Sequence, residues 1–168
     1  MVGPTLVIGL GNPILGDDGV GWRVADEVER RLDMYSAPPP VAVVRLAVGG
    51  LALMEQLVGY ERAIIIDSCL SDGEPGVVRS GSLAELAGRP VGHLDSTHDA
   101  PLAAALAAGR ALGARLPDDL VVVTVDTPRS DVFDDSLTAP VESAVDRAAD
   151  EVIALIARPR GPSAVSTW

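Results

Sequence analysis

Two adjacent aspartates, Asp17 and Asp18, follow the glycine-rich stretch Gly9-Leu10-Gly11-Asn12-Pro13-Ile14-Leu15-Gly16 and stand just ahead of an amphipathic segment. A glycine loop running into a helix ordinarily suits phosphate, because free N–H groups and the helix dipole favour an anion. Two carboxylates in that place repel phosphate and attract a cation. The loop therefore reads as one built for a metal. A third carboxylate, Asp67, closes the apolar run Ala63–Ile66. An imidazole, His98, lies in Asp95-Ser96-Thr97-His98-Asp99-Ala100-Pro101, directly ahead of a helix opened by proline, a favourable first helical residue. Carboxylates and an imidazole delivered from separate strand-to-helix junctions suit borderline divalent ions such as zinc, nickel or manganese.

Each of these residues also has a plainer reading. Helix capping accounts for one of Asp17 and Asp18 but not for both. Asp67-Ser68 can bond local backbone N–H groups in a turn. The other histidine, His93, has no comparable polar cluster around it and reads as a solvent-exposed residue whose replacement by Ala is close to neutral. Cys69, the single cysteine, stands two residues beyond Asp67 and reads as packing rather than as a nucleophile.

The elements that must position these residues alternate along the chain. Strands are expected at Thr5–Leu10, Val41–Val48, Ala63–Asp67, Gly76–Arg79 and Leu120–Val125. Helices are expected at Asp18–Leu32, Leu51–Val58, Leu83–Leu86, Pro101–Leu112 and Pro140–Ile156. Ile64-Ile65-Ile66 and Val121-Val122-Val123 are β-branched runs of the kind covered on both faces of a sheet. The alternation implies an α/β fold with a largely parallel sheet between helices, and Gly76–Arg79 as an antiparallel edge strand. In such sheets sites gather at the carboxyl ends of the strands, where Asp17, Asp18 and Asp67 fall. Residues 1–157 are expected to form one domain, and 158–168, which lose periodicity, a loose tail.

Composition narrows the setting. A net charge of −11 argues against nucleic acid as a partner, because binding would work against phosphate repulsion. No apolar run approaches the length of a membrane span, and no basic-then-apolar leader opens the sequence, so neither membrane insertion nor export is expected. One cysteine excludes an internal disulfide and suits the cytoplasm. All 13 basic residues are Arg, which excludes a catalytic lysine. There is no His-Glu-x-x-His, Cys-x-x-Cys, Walker loop or Gly-x-Ser-x-Gly elbow.

The set Gly9-Leu-Gly11-Asn12-Pro-Ile-Leu-Gly16-Asp17-Asp18-Gly19-Val-Gly21, the strand ending in Asp67, Asp72-Gly73-Glu74-Pro75-Gly76-Val-Val-Arg79, and Ser96-Thr97-His98-Asp99-Ala-Pro101-Leu102 resembles, in order, the [NiFe]-hydrogenase maturation endopeptidases. The resemblance covers Thr5 to Ile156. It implies a three-layer α/β/α sandwich around a twisted five-stranded, mostly parallel sheet. It also implies one cut near the C-terminus of the hydrogenase large-subunit precursor, made after nickel insertion, with Asp18, Asp67 and His98 at the family's metal positions. Nickel is then presented by the precursor, other divalent ions serve as surrogates, and His98→Ala abolishes cleavage. Two departures are expected to alter the substrate surface. Val125-Asp126-Thr127-Pro128 stands where many members have an apolar-Glu/Gln-Pro sequence, and Ser68-Cys69 follows the second metal position where small residues are commoner.

With no serine, lysine or cysteine constellation, the expected nucleophile is water, assisted by a divalent ion, with Asp17 a weaker candidate for the base. Three rival readings bear on the same residues. Peptidyl-tRNA hydrolases share the opening Gly-Leu-Gly-Asn-Pro but require an early histidine and a basic surface, which this chain lacks. A dinucleotide-binding loop would need Gly-x-Gly-x-x-Gly, whereas the third glycine here is Gly16, five residues after Gly11. A non-catalytic nickel-binding or chaperone module with the same ligands stays open at the level of sequence.

Overall fold

In the computed structural model, which describes residues 4–35, 40–94, 101–128 and 133–159, the chain forms the expected α/β/α sandwich. His98, most of the proline-rich connector before Val41 and the tail residues 160–168 lie outside the described residues. The strands are β1 (Thr5–Leu10), β2 (Val41–Leu46), β3 (Arg62–Leu70), β4 (Val78–Gly81) and β5 (Asp119–Thr127). The helices are α1 (Val20–Leu32), α2 (Gly50–Leu57), α3 (Leu102–Ala111), α4 (Ala139–Glu142) and α5 (Val145–Ala157).

The sheet order is β2-β1-β3-β5-β4, parallel throughout except for β4, which runs antiparallel to β5. From β1 the chain moves one way to β2 and the other way to β3, so the strand order reverses between β1 and β3. Such a reversal opens a crevice at the carboxyl ends of the two strands. Gly9 of β1 pairs with Ile66 of β3, which brings the loop after β1 beside Asp67.

Alternation along the strands divides the core in two. Val7, Ile64, Ile66, Val123 and Val125 pack with Val24, Val28, Ala148 and Val152 of α1 and α5. Leu6, Ile8, Ile65, Cys69 and Val122 pack with Leu53, Leu57, Leu102 and Leu106 of α2 and α3. Each fully buried isoleucine or leucine contributes about 1.5–3 kcal/mol. The helix α1 sits hard against the sheet because Gly9 and Gly21 face each other. A Cβ on Gly9 would lie 2.3 Å from the Gly21 carbonyl oxygen, and one on Gly21 would lie 2.1 Å from that of Leu10.

Two expected helices differ. Leu83–Leu86 is a set of turns rather than a helix. Ser82 and Glu85 do form a capping box, with Ser82 N–H donating to Glu85 at 2.7 Å and Glu85 N–H to Ser82 Oγ at 3.2 Å. Gly88, at a φ of +85°, and Pro90 stop it before a full turn can propagate. The last helix is broken in two at Ser143–Ala144, giving α4 and α5.

Candidate active site

The loop after β1 folds back on itself before entering α1. Gly11 has a φ of +142°, and a Cβ there would stand 1.9 Å from the Asp18 carbonyl oxygen. Only glycine fits that close approach. Gly16–Gly19 then form one turn of 3-10 helix holding both aspartates.

The neighbouring carboxylates point to different partners. Asp17 is 2% exposed, and its oxygens accept the Thr138 N–H at 2.7 Å and the Thr138 hydroxyl at 2.8 Å. Thr138 is the residue before α4, so Asp17 satisfies donors at a distant helix entrance and ties the loop to the α4–α5 arm. This arrangement gives the weaker base candidate a structural bond at each oxygen. Asp18 is half-buried; its Oδ2 accepts the Asn12 N–H at 2.8 Å and its Oδ1 the Ser68 hydroxyl at 3.3 Å.

Asp67 lies within β3, which continues to Leu70, and is fully buried. Its Oδ1 accepts the Ser68 N–H at 2.9 Å and its Oδ2 the His93 N–H at 2.8 Å. Ser68 thus bridges the two carboxylates, donating its amide to Asp67 and its hydroxyl to Asp18. Asp18 and Asp67 converge at the reversal point of the sheet, held by neutral donors. Burial pushes the Asp67 carboxyl up, His93 pulls it back, and the nearby charge of Asp18 adds to the rise.

The histidine found beside Asp67 is His93. Its imidazole Nδ1 is 3.5 Å from Asp67 Oδ1, and its pKa is raised mainly by Asp67, against burial, with Asp18 adding to the effect. The reading of His93 as a solvent-exposed residue does not hold: its side chain is 22% exposed and Nδ1 is buried. The chain returns here because residues 90–92 add a short antiparallel piece to the end of β3. Leu70 N–H donates to the Pro90 carbonyl at 3.0 Å, Gly92 N–H donates to that of Ser68 at 3.0 Å, and Cys69 pairs with Val91. A contact across 26 residues leaves no periodic trace in sequence; the clue was Gly92-His93 just after the Pro90 breaker.

The two departures from the family pattern lie inside the molecule rather than on a substrate surface. Ser68, Cys69, Asp126 and Thr127 are all buried. Asp126 accepts from Arg89 at 2.9 Å and also from Arg79. Arg89 Nη2 stands 3.5 Å from Cys69 Sγ, and burial pushes that thiol's pKa up, which disfavours the nucleophilic thiolate.

As a cation site, the described residues supply two carboxylates. Among them no three His, Cys, Asp or Glu side chains are gathered closely enough to hold a metal by themselves. The donor chemistry fits a hard or borderline ion whose shell is completed by other groups. Among the described residues, no helix is long and apolar enough to cross a membrane.

Comparison with known proteins agrees with this architecture. The model of the hydrogenase maturation protease family matches residues 23–155. The hydrogenase 2 maturation protease of Escherichia coli is 29% identical over 155 residues, covering 90% of this chain and 89% of that protein. The hydrogenase expression/formation protein HupD of Bradyrhizobium diazoefficiens is 29% identical over 143 residues, covering 83% and 71%. Among solved structures, the E. coli hydrogenase maturating endopeptidase HybD superposes with a TM-score of 0.70 at 27% identity, covering 91% of each chain. With its fold and a match spanning most of its length, the chain belongs to the hydrogenase maturation protease family and is a peptidase.

Proposed function

We propose that this protein removes the C-terminal extension of a [NiFe]-hydrogenase large-subunit precursor in the cytoplasm after nickel has been inserted. The observation that carries this reading is the convergence of Asp18, from the turn ahead of α1, and Asp67, from within β3, at the crevice between β1 and β3. Two carboxylates so close repel each other, and a divalent cation relieves that repulsion. A pair of donors forms an incomplete shell, which suits an ion that arrives already held by the substrate. Nickel in the precursor is then substrate, and Asp18, Asp67 and His98 are the groups that read it, with other divalent ions able to stand in.

The chain's own contribution is placement. Asn12 N–H and the Ser68 hydroxyl fix Asp18, while the Ser68 and His93 amides fix Asp67. Ordered carboxylates hold the precursor's metal-bearing segment against the sheet edge, so the scissile bond is presented in one geometry. A divalent ion held there would supply Lewis acidity toward the carbonyl and toward water. One of the two carboxylates would accept the proton that water gives up as it attacks and would pass it to the amine that leaves as the C–N bond breaks.

The test is incubation of the purified protein with nickel-loaded and nickel-free precursor, followed by intact mass measurement. Loss of a C-terminal fragment only from the nickel-loaded form is expected. Equal cleavage of both forms would overturn the recognition role of nickel. Binding without any mass loss would instead favour the non-catalytic nickel-binding module.

A further inference from the structure

His93 stands outside the set Asp18, Asp67 and His98, yet the fold takes trouble to place it. Three contacts bring the Pro90–His93 segment onto the end of β3. The Leu70 and Gly92 amides pair it to the strand, and Arg89 anchors its start through the buried Asp126. Gly92 completes the fit, since a Cβ there would come within 3.0 Å of both Asp67 Oδ1 and Ser68 Oγ. A larger residue there would require those two side chains to give way by a few tenths of an ångström. Its last residue then delivers a backbone N–H to Asp67 Oδ2 at 2.8 Å and its imidazole Nδ1 to 3.5 Å from Oδ1.

Among the described residues, His93 Nδ1 is buried and makes no hydrogen bond, with Asp67 Oδ1 3.5 Å away. A buried polar atom facing a buried carboxylate is costly unless the two engage. A shift of a few tenths of an ångström brings Nδ1 within hydrogen-bonding distance of Asp67 Oδ1.

We infer that His93 is a positioning residue of the active site: its Nδ1–H, together with its amide, clamps both oxygens of Asp67 and fixes the carboxylate's orientation toward the substrate. The role requires the imidazole proton on Nδ1, the less common tautomer in water. It needs only a donor at that point, so asparagine, whose amide nitrogen overlies Nδ1, fulfils it and leucine does not. Partners that orient a ligating carboxylate or imidazole typically matter by about 10- to 100-fold.

This inference rests on the proposed cleavage of the precursor, and its test separates the two. In the first arm, nitrogen NMR of the free protein reads the His93 tautomer. A proton on Nδ1 in the wild type, moving toward Nε2 in Asp67→Asn, is expected; a bare Nδ1 in the wild type would overturn the inference whatever the protein cleaves. In the second arm, His93→Leu and His93→Asn are compared on nickel-loaded precursor at matched thermal stability. His93→Leu is expected to lower kcat at least about tenfold with little change in KM, and His93→Asn to stay within about threefold of wild type. Wild-type kcat in His93→Leu, or equal loss in both variants, would refute the positioning role. A wild type that fails to cleave would refute the functional reading instead, and the tautomer would still decide the role of His93.

Discussion

Asp17 and Asp18 are neighbours of one residue type, yet the geometry assigns them separate work, and substitution can show it. Asp17→Ala removes the acceptor for two donors at the entrance to α4, the Thr138 N–H and hydroxyl. Each buried donor left unpaired costs about 1–3 kcal/mol, and the hydroxyl can rotate toward another acceptor, so the total is about 2–4 kcal/mol. In a chain of this size each kcal/mol moves Tm by about 2–4 °C, which gives a fall of roughly 5–15 °C by calorimetry. Asp17→Asn should recover most of it, because the amide oxygen still accepts the Thr138 N–H and the amide nitrogen can donate to the hydroxyl oxygen. Cleavage by Asp17→Asn should stay within a few-fold of wild type. Asp18→Asn should show the opposite pattern, keeping Tm and losing precursor cleavage by two orders of magnitude or more, about 3 kcal/mol in barrier. If Asp17→Asn kept the wild-type Tm and lost cleavage as Asp18→Asn does, the charge of Asp17 would have to be chemical, and its structural assignment would be wrong.

Other perturbations follow from the same contacts. Gly11→Ala places a Cβ 1.9 Å from the Asp18 carbonyl oxygen at a φ of +142°, and is expected to yield protein that is insoluble or cleaves nothing, as judged by soluble expression and precursor assay. Arg62 is buried, pairs with Asp119 at 2.6 Å and donates to the Leu155 and Arg158 carbonyls at the end of α5. Arg62→Met should cost about 2–4 kcal/mol in urea unfolding while leaving kcat unchanged, since the residue is at the opposite end of β3 from Asp67. Glu27 is held down to about 2, from 4.5, by hydrogen bonds from Arg30 and then Arg31. A depressed carboxyl contributes stability above its unfolded value and loses it as pH falls, so the Tm gap between wild type and Glu27→Gln should narrow between 4.5 and about 2. That gap should be small, on the order of 0.5 kcal/mol, and shrink further in salt, as near-surface pairs are screened.

Local chemistry made the frame of this molecule readable. Ile64-Ile65-Ile66 and Val121-Val122-Val123 are buried on both faces or nearly so, and a parallel sheet covered by helices is the architecture that accepts such runs. Asp18 and Asp67 were legible as carboxylates that follow an apolar strand run, although β3 continues through Asp67 to Leu70 and buries it. The partners of these carboxylates were not legible. Asp17 bonds a threonine 121 positions away, and Asp67 is met by His93 through a return of the chain over the end of β3. Neither contact follows a period of two or of 3.6, the signals that sequence carries well. The same limit explains Asp126, which looked like a surface departure and is instead the buried acceptor shared by Arg79 and Arg89.

The two departures therefore act together. Cys69 and Asp126 are opposite each other across β3 and β5, and Arg89 contacts both. Arg89 is one residue ahead of Pro90, where the chain turns back toward Asp67. A buried carboxylate with two guanidinium partners is costly to disrupt, because removing either arginine leaves part of its charge uncompensated. The ion pair thus gives the returning segment a fixed origin at Arg89, the strand pairing through Gly92 gives it a direction, and His93 is where it ends. Cys69 and Asp126 thus contribute to the support of Asp67. Uncoupling the origin from the end should weaken His93's hold without touching Asp67 itself: Arg89→Met is expected to lower kcat in the same direction as His93→Leu. A double variant of the two should cost less than the sum of their separate effects on the barrier, since both act through one contact. Full additivity in that cycle would show that Arg89 and His93 act independently, and that the segment between them carries no coupling.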